Sequence, residues 1–329
     1  LYEKRFQRLG KSVRGEIIKV ENQKVVTLER NFLTRSYLLS LNKCLCNGCG
    51  LCVEICPHEA ITLIPAEIDE GHLVIKPRID FDLDSCVLCG ECAVLCPLNA
   101  LKMEVDKREV STFVKNEAFP VLLKEINVAT EKCDPVCELK CQDVCPTNAI
   151  KVSTKETENG KKSITNVQIL KESCYYCKGC ELACDLDAIT VKKPFQGYLD
   201  LKRDLCPSEC MICVEICPTD ALHLEKGKLV INTELCLFCS ACQQVCPEKA
   251  ITVQRNWVFH TDINAAAWLT ALKKLTSFET VRKELMIKSG KKRSNVVKQR
   301  ERHPYLKSKQ LTSSRAAEFL EILNKYKER

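Results

Sequence analysis

Cysteines are the residues in this chain whose type and spacing could carry chemistry. All but one of the 25 cysteines in the 329 residues fall into six runs of four. Four runs follow CxxCxxCxxxC, the fifth is widened to CxxxCxxCxxxC and the third to CxxxCxxxCxxxC. Two-residue gaps let one loop reach three corners of a cubane, whereas zinc sites and disulfide frameworks use other spacings. The runs therefore predict six 4Fe-4S clusters.

The fourth cysteine of each run points away from its own loop. In two-cluster ferredoxins this cysteine binds the cluster of the neighbouring run. The crossing pattern predicts the following ligand sets: Cys46, Cys49, Cys52 and Cys96 for cluster 1; Cys86, Cys89, Cys92 and Cys56 for cluster 2; Cys133, Cys137, Cys141 and Cys184 for cluster 3; Cys174, Cys177, Cys180 and Cys145 for cluster 4; Cys206, Cys210, Cys213 and Cys246 for cluster 5; Cys236, Cys239, Cys242 and Cys217 for cluster 6.

Similar segments follow the six runs and predict how the loops are held. They read CPHEAITLI, CPLNALKME, CPTNAIKVS, CDLDAITVK, CPTDALHLE and CPEKAITVQ. Strand-like stretches also precede several runs, so one unit is predicted as strand, cysteine loop, short helix and strand. Two units form one module. The predicted fold class is α+β, with three tandem bacterial-type two-cluster ferredoxin modules and a mostly helical C-terminal extension.

The domain organisation follows the runs. We predict a docking arm at residues 1–42, module 1 at 43–105, a linker with module 2 at 106–195, module 3 at 196–253 and a basic helical extension at 254–329. The arm contains a predicted strand pair, GEIIKV and KVVTLER. Insertions at 64–76 and 153–163 are expected at the surface, either as tolerated hairpin extensions or as segments that contact neighbours.

Helices are predicted in the C-terminal extension from apolar residues at helical spacing. The first is expected to begin at an Asp262 cap and to share one apolar face among Ala265, Trp268, Leu269, Leu272 and Leu275. Further helices are predicted at 278–287 and around Ala316 to Leu323, joined by an exposed linker. These stripes suit either core packing or docking on another subunit.

Charge and hydropathy limit the class of protein. Residues 288–329 hold 13 Lys and Arg against 4 Asp and Glu, so a basic tail follows a slightly acidic body in a chain of net charge +7. A basic tail suggests a contact with a partner, but no recognised nucleic-acid-binding module is present. The sequence shows no secretory signal and no membrane span, and ligand thiols require reducing conditions. A cytoplasmic location is therefore predicted.

Three stretches carry a resemblance to a known family: LNKCLCNGCGLCVEICP, DLCPSECMICVEICP and ELCLFCSACQQVCP with its EKAITVQR continuation. Across residues 41–253 the chain resembles archaeal polyferredoxins, most closely the polyferredoxin subunit of formylmethanofuran dehydrogenase. The resemblance implies a non-catalytic subunit that carries electrons to or from a tungsten or molybdenum site. Its partners would be the other subunits of a multi-subunit oxidoreductase, including a molybdopterin-type catalytic subunit.

Other functions stay open at this point. The chain has fewer runs than expected for that subunit, and its C-terminal extension is more basic. Both departures also fit the polyferredoxin of a hydrogenase, a heterodisulfide reductase or a deazaflavin-reducing complex. A free multi-cluster carrier and an iron or sulfide store are further alternatives. Catalysis by the chain itself is not expected, because a cubane held by four cysteines leaves no open iron and the sequence has no GxGxxG motif or P-loop.

Two irregularities fall on predicted cluster 3, and one cysteine is left over. The third run has three-residue gaps, and Asp185 replaces the proline that follows the last cysteine in the other runs. Nearby carboxylates disfavour the more negative reduced state, so cluster 3 is predicted to differ in potential, unless both changes only accommodate packing. Cys44 belongs to no run and is predicted to be a small buried apolar residue rather than an alternative ligand.

Overall fold

The computed structural model describes residues 15–108, 118–134, 137–156, 162–207 and 209–277. Its strands are β1 Ile17–Glu21, β2 Val25–Asn31, β3 Ser36–Asn42, β4 Ile61–Ile64, β5 Glu67–Asp69, β6 His72–Ile75, β7 Arg78–Phe81, β8 Leu101–Val105, β9 Glu125–Val128, β10 Ile150–Glu156, β11 Lys162–Ile169, β12 Ile189–Lys192, β13 Phe195–Leu201, β14 Leu222–Glu225, β15 Lys228–Ile231 and β16 Ile251–Val258. Its helices are α1 Leu51–Ile55, α2 Glu91–Val94, α3 Lys140–Asp143, α4 Gly179–Leu182, α5 Ile212–Ile216, α6 Ala241–Val245 and α7 Ala266–Thr276. The helices and linker predicted at 278–323 lie outside the described residues.

Antiparallel strand pairs recur in the same pattern along the chain. An outer pair joins β3 to β8, β9 to β12, and β13 to β16. An inner pair joins β4 to β7, β10 to β11, and β14 to β15. Two short helices pack together within each set: α1 with α2, α3 with α4, and α5 with α6. The result is a mixture of small sheets and short helices, as the predicted α+β class requires.

The N-terminal strands belong to the first of these sets. β1 pairs with β2, β2 with β3, and β3 with β8, so the four strands form one sheet. Alternate residues of β2 and β3 are buried, with Val26, Leu28, Leu39 and Leu41 at 0–4% exposure. This period of two places one face of each strand on the core. The residues from Ile17 onward in the predicted docking arm are thus packed as part of this sheet.

Both predicted insertions form hairpins. The first is the β5–β6 hairpin, which turns at Gly71 in the left-handed conformation with φ +82°. The second lengthens β10 and β11 and carries a register shift between Ser153 and Thr154. Because the β5–β6 hairpin leaves its own set of strands and contacts α5, it connects parts of the chain that are distant in sequence.

Helix α7 is held in the core by its tryptophan. Trp268 is fully buried and packs edge-on against Phe119 and His260, with ring centroids 5.3 and 4.8 Å away. Ala271 and Leu275 are buried beside it, so the predicted apolar face is partly correct. Leu269 is 41% exposed, however, and the N-cap is Ala265 rather than Asp262. Residues 261–265 have no regular secondary structure, so the helix begins later than an Asp262 cap predicts.

Apolar packing divides the described residues into two clusters. The larger one joins the first and third sets of strands and includes α7. The smaller one belongs to the second set, around Ile126, Ile150, Ile189 and Val191. In the described part of the chain, no helix is long and apolar enough to cross a membrane.

Candidate metal centres

The cysteine loops are built from residues in the left-handed backbone conformation. In the four regularly spaced runs this conformation recurs two residues after the first cysteine and again just after the second cysteine, at Gly48, Gly50, Leu88, Gly90, Tyr176, Lys178, Phe238 and Ser240. Each such turn rotates backbone N–H groups toward sulfur. Tyr176 N donates to Cys174 Sγ at 3.4 Å and Phe238 N donates to Cys236 Sγ at 3.3 Å. The loops are therefore shaped to surround sulfur atoms.

At Gly48 glycine is required by the available space as well as by the left-handed backbone conformation. A Cβ atom on Gly48 would lie 2.4 Å from the carbonyl oxygen of Pro77. Leu88, Tyr176 and Phe238 hold the same conformation with side chains, at a cost of about 1–2 kcal/mol per residue. Strain of this kind persists only where the surroundings enforce it, as at ligand-binding loops.

The segment after each fourth cysteine repeats the same local geometry. The third residue after it is left-handed in all six runs: Glu59, Asn99, Asn148, Asp187, Asp220 and Lys249. The next residue is an alanine with 0–3% exposure in every run: Ala60, Ala100, Ala149, Ala188, Ala221 and Ala250. Ala149 N donates to Cys145 Sγ at 3.2 Å, and the equivalent bonds at Ala60, Ala188 and Ala250 measure 3.3–3.4 Å. The repeated alanine thus lies where a larger side chain would not fit.

Sites 1 to 6 denote the six groups of cysteines predicted to bind clusters 1 to 6. Recesses at sites 1, 2, 3, 4 and 6 are each lined by three cysteines of one run and the fourth cysteine of its neighbour. At site 5, burial and then the thiols of Cys206, Cys210 and Cys246 raise the pKa of Cys213 to about 12. The structure therefore brings each predicted group of four thiols together.

The donor set at these sites fits an iron–sulfur cubane. Soft thiolate sulfurs with backbone N–H donors around them are the ligands such clusters use. Burial, and after it the other cysteines, raises the pKa of Cys52 and Cys92 well above the usual range. Buried thiols packed this closely become thiolates only next to a cation, because metal binding removes the proton. Within the described ranges, no three potential ligands stand close enough to hold a single metal ion.

Sites 1 and 6 adjoin across the first and third sets of strands. Asn47, between two site 1 cysteines, donates from Nδ2 to Cys239 Sγ of site 6 at 3.7 Å. Burial and then the Cys239 thiol raise the pKa of Cys49 well above the usual range. Nothing in the local sequence around Asn47 indicated this contact, since its partner lies 192 residues away.

Sites 1 and 4 adjoin at Tyr175. This side chain is 8% exposed, and burial raises its pKa to about 12, with further contributions from thiols of both sites. Asn99 donates from Nδ2 to the carbonyl oxygen of Cys174 at 2.8 Å and accepts a bond from Lys124. The left-handed turn after the second run therefore also anchors the fourth run.

Sites 4 and 6 adjoin at Lys193, which interacts electrostatically with Cys177 of site 4 and Cys236 of site 6. Its ammonium donates to the carbonyl oxygens of Thr233, Glu234 and Cys236 at 3.4, 2.8 and 3.0 Å. Burial lowers the pKa of Lys193, whereas Cys236 and Glu234 act in the opposite direction. Together with Asn47 and Tyr175, Lys193 was not identified from the sequence. Sites 1, 4 and 6 thus meet one another pairwise.

The β5–β6 hairpin covers the widened fifth run. Met211 N donates to the Gly71 carbonyl oxygen at 2.9 Å. Glu215 accepts from Leu73 N at 2.6 Å and pairs with His72 Nδ1 at 2.7 Å. These bonds connect an insertion in the first set of strands to the loop that carries three cysteines of site 5.

The structure bears on two predictions made from the sequence: the distinct potential of cluster 3 and the burial of Cys44. Lys140 lies 2.5 Å from Asp185 in an ion pair, which offsets the carboxylate charge beside Cys184. Pro135 follows two residues after Cys133, and proline has no N–H to donate to sulfur. The distinct potential of cluster 3 stays a prediction. Cys44 is exposed, so the expectation of a buried residue was wrong.

Comparisons with known proteins place these sites in a family. The 4Fe-4S dicluster domain matches residues 45–100 and 205–250. Ferredoxin 7Fe of Hydrogenibacillus schlegelii is 33% identical over 66 residues, which are 20% of this chain and 76% of that protein. Polyferredoxin protein MvhB of Methanothermobacter marburgensis is 30% identical over 102 residues, covering 28% of this chain and 24% of MvhB. The chain spans about half the length of other curated relatives it matches.

A solved structure resembles most of the chain. It is a chain of the formate dehydrogenase–heterodisulfide reductase–formylmethanofuran dehydrogenase complex from Methanospirillum hungatei. The TM-score is 0.68 at 28% sequence identity, covering 81% of this chain and 93% of that one. With two dicluster matches, coverage of 76% of a small ferredoxin and this structural likeness, the chain belongs to the 4Fe-4S ferredoxin family and is a polyferredoxin of the archaeal type.

Proposed function

We propose that this polyferredoxin is the electron-transfer subunit of a multi-subunit oxidoreductase and holds six 4Fe-4S clusters in three modules. The observation that carries the proposal is the convergence of four thiols at every predicted site, three from one run and one from its neighbour. Bound cubanes would accept and release single electrons. The chain's own residues position the thiols, direct N–H groups at sulfur and bury the sites in apolar surroundings.

The contacts between modules support a branched electron path. Within the first module, Cys52 of site 1 lies beside Cys92 of site 2, and within the third, Cys242 of site 6 lies beside Cys213 of site 5. Between modules, Asn47, Tyr175 and Lys193 join sites 1, 4 and 6 in pairs. We therefore place sites 1, 4 and 6 at a central junction. Sites 2, 3 and 5 are then the three places where electrons enter or leave.

Formylmethanofuran dehydrogenase, with its molybdopterin-type catalytic subunit, is the partner we favour. The resemblance of the M. hungatei chain over 81% of this chain supports this choice. Heterodisulfide reductase and formate dehydrogenase are the second candidates, because both belong to the same complex. The location proposed for all of these partners is the cytoplasm. Anaerobic purification with mass spectrometry of co-purifying subunits tests the choice, and recovery of a hydrogenase alone would overturn it.

The crossing ligand pattern can be tested by additivity of iron loss. Cys46→Ala should remove about four iron atoms of about 24, since each cubane holds four. Adding Cys96→Ala should cost no further iron, because both cysteines serve site 1. Adding Cys56→Ala instead should remove about four more, because Cys56 serves site 2. If the second change costs iron with Cys96 and not with Cys56, each run binds its own cluster and the crossing assignment is wrong.

A further inference from the structure

We propose that site 6, formed by Cys217, Cys236, Cys239 and Cys242, holds the cluster of highest reduction potential and is where electrons collect. This inference rests on the proposed function, because it requires that the six sites hold clusters. It concerns residues that bind no cluster themselves. Three polar groups from separate parts of the chain converge on the loop 236–240, here called the site 6 loop.

The first group is the Lys193 ammonium. It donates to three carbonyl oxygens, including that of Cys236 at 3.0 Å, and lies 5.6 Å from the centroid of the Phe238 ring. Three donated hydrogen bonds require three N–H groups, which only the protonated amine has. A full positive charge is therefore fixed at one end of the site 6 loop.

The second group is the guanidinium of Arg255, which is 6% exposed. Its Nη1 donates to the Phe238 carbonyl oxygen at 3.1 Å and to Ser240 Oγ at 2.9 Å. Glu54 accepts from Nη2 at 3.2 Å and offsets part of this charge, while the buried Lys274 adds another cation near Glu54. The far end of the site 6 loop therefore also contacts a buried cation, the guanidinium of Arg255, through its carbonyl and hydroxyl oxygens.

The third group is the side-chain amide of Asn47. Its Nδ2 donates directly to Cys239 Sγ at 3.7 Å, and the residue is 5% exposed. In the described part of the chain, this is the one side-chain amide that donates to a cysteine sulfur. The equivalent positions of the other regularly spaced runs hold Val87, Tyr175 and Leu237, none of which carries an amide.

These groups act in one direction on the potential. One-electron reduction makes a cysteine-bound cubane more negative, so nearby cations and N–H donors stabilise the reduced form and raise the potential. Burial strengthens the effect because the charges are poorly screened.

Other sites lack this combination. Site 4 shares Lys193 and has Lys124 at 5.3 Å from the Tyr176 ring, but no amide donor like Asn47 reaches its sulfurs in the described residues. Carboxylates lie near thiols elsewhere, Glu91 beside Cys89 of site 2 and Glu131 beside Cys133 of site 3. Electrons that reach the junction from site 2, 3 or 5 therefore collect at site 6.

The test is an anaerobic redox titration of the purified holoprotein followed by EPR. The first signal to appear on reduction should come from site 6, and Cys217→Ser should change its g values because it replaces a ligand. Lys193→Met and Asn47→Leu should each move that signal to lower potential, and together they should move it further. Lys192→Met is the matched control: it removes the same charge from the exposed neighbour, which pairs with Glu125.

Each outcome has a defined meaning. Iron well below six clusters per chain contradicts the proposed function and not the ranking of sites. Full iron content with a first signal that is unchanged in Cys217→Ser, or with equal shifts in Lys193→Met and Lys192→Met, overturns the inference about site 6. Asn47→Leu separates a charge effect from a hydrogen-bond effect, because it keeps the net charge.

Discussion

Replacing Gly71 with alanine should loosen the loop of site 5. A Cβ atom at this position would lie 3.3 Å from Cys210 Cα and 3.4 Å from the Glu209 carbonyl oxygen, both of which are backbone atoms. The hairpin must then retreat, which strains its bond from Met211 N. Gly227→Ala in the β14–β15 turn is the control, because Gly227 has φ +75° and nothing within 4 Å of its Cβ position.

Both variants place alanine in a left-handed turn, but only one of them also disturbs a hydrogen bond. Alanine in the left-handed conformation costs about 1–2 kcal/mol in either turn. Only Gly71→Ala also weakens the Met211 hydrogen bond, by about 1 kcal/mol, with a smaller discounted loss at the partly exposed Glu215. Gly71→Ala should therefore destabilise the closed site 5 loop by about 1–2 kcal/mol more than Gly227→Ala does. This difference corresponds to about a 5–30-fold larger open population around site 5.

Iron release to a ferrous chelator, followed anaerobically, measures this opening. About one sixth of the iron, one cubane in six, should leave about 5–30 times faster from Gly71→Ala than from Gly227→Ala. The remaining iron should leave at equal rates from both. If the first sixth of the iron left both variants at the same rate, the argument that the hairpin holds the site 5 loop closed would be refuted.

Further outcomes follow from the same contacts. Arg255→Met should lower the thermal midpoint by several degrees, because the carbonyls of Phe238 and Leu275 lose their donor at about 1–3 kcal/mol each; an unchanged midpoint in anaerobic calorimetry would contradict this. Cys44→Ser should leave the iron content and EPR spectra unchanged, because the thiol is exposed and outside every site; lost iron would make Cys44 a ligand. Stripping iron with a chelator should unfold the modules, seen as loss of far-UV circular dichroism, because the buried thiols lose their compensating cations.

The sequence determined the chemistry of each site because spacing within one loop is fixed by covalent geometry. The spacing within each run and the fourth cysteine after each short helix predicted the groups of four thiols that lie together in the structure. The alanine four residues after each last cysteine could be read as a small buried position for the same reason. Asn and Asp dominate the left-handed position before it, which is a sequence signal of that conformation. Glu59 and Lys249 hold it too, and carry no such signal.

The arrangement of the modules was decided only by tertiary packing. Asn47 and Cys239 are 192 residues apart, and Gly71 meets Cys210 through a hairpin that sequence could describe only as an insertion. The order of runs in sequence suggests a line of clusters, whereas the contacts of Tyr175 and Lys193 bring sites 1, 4 and 6 together. Local spacing cannot encode such meetings, because the rotation of one module against another depends on which apolar faces and buried charges pair. The same packing placed two cations and an amide around site 6, and with them the one site we expect to collect electrons.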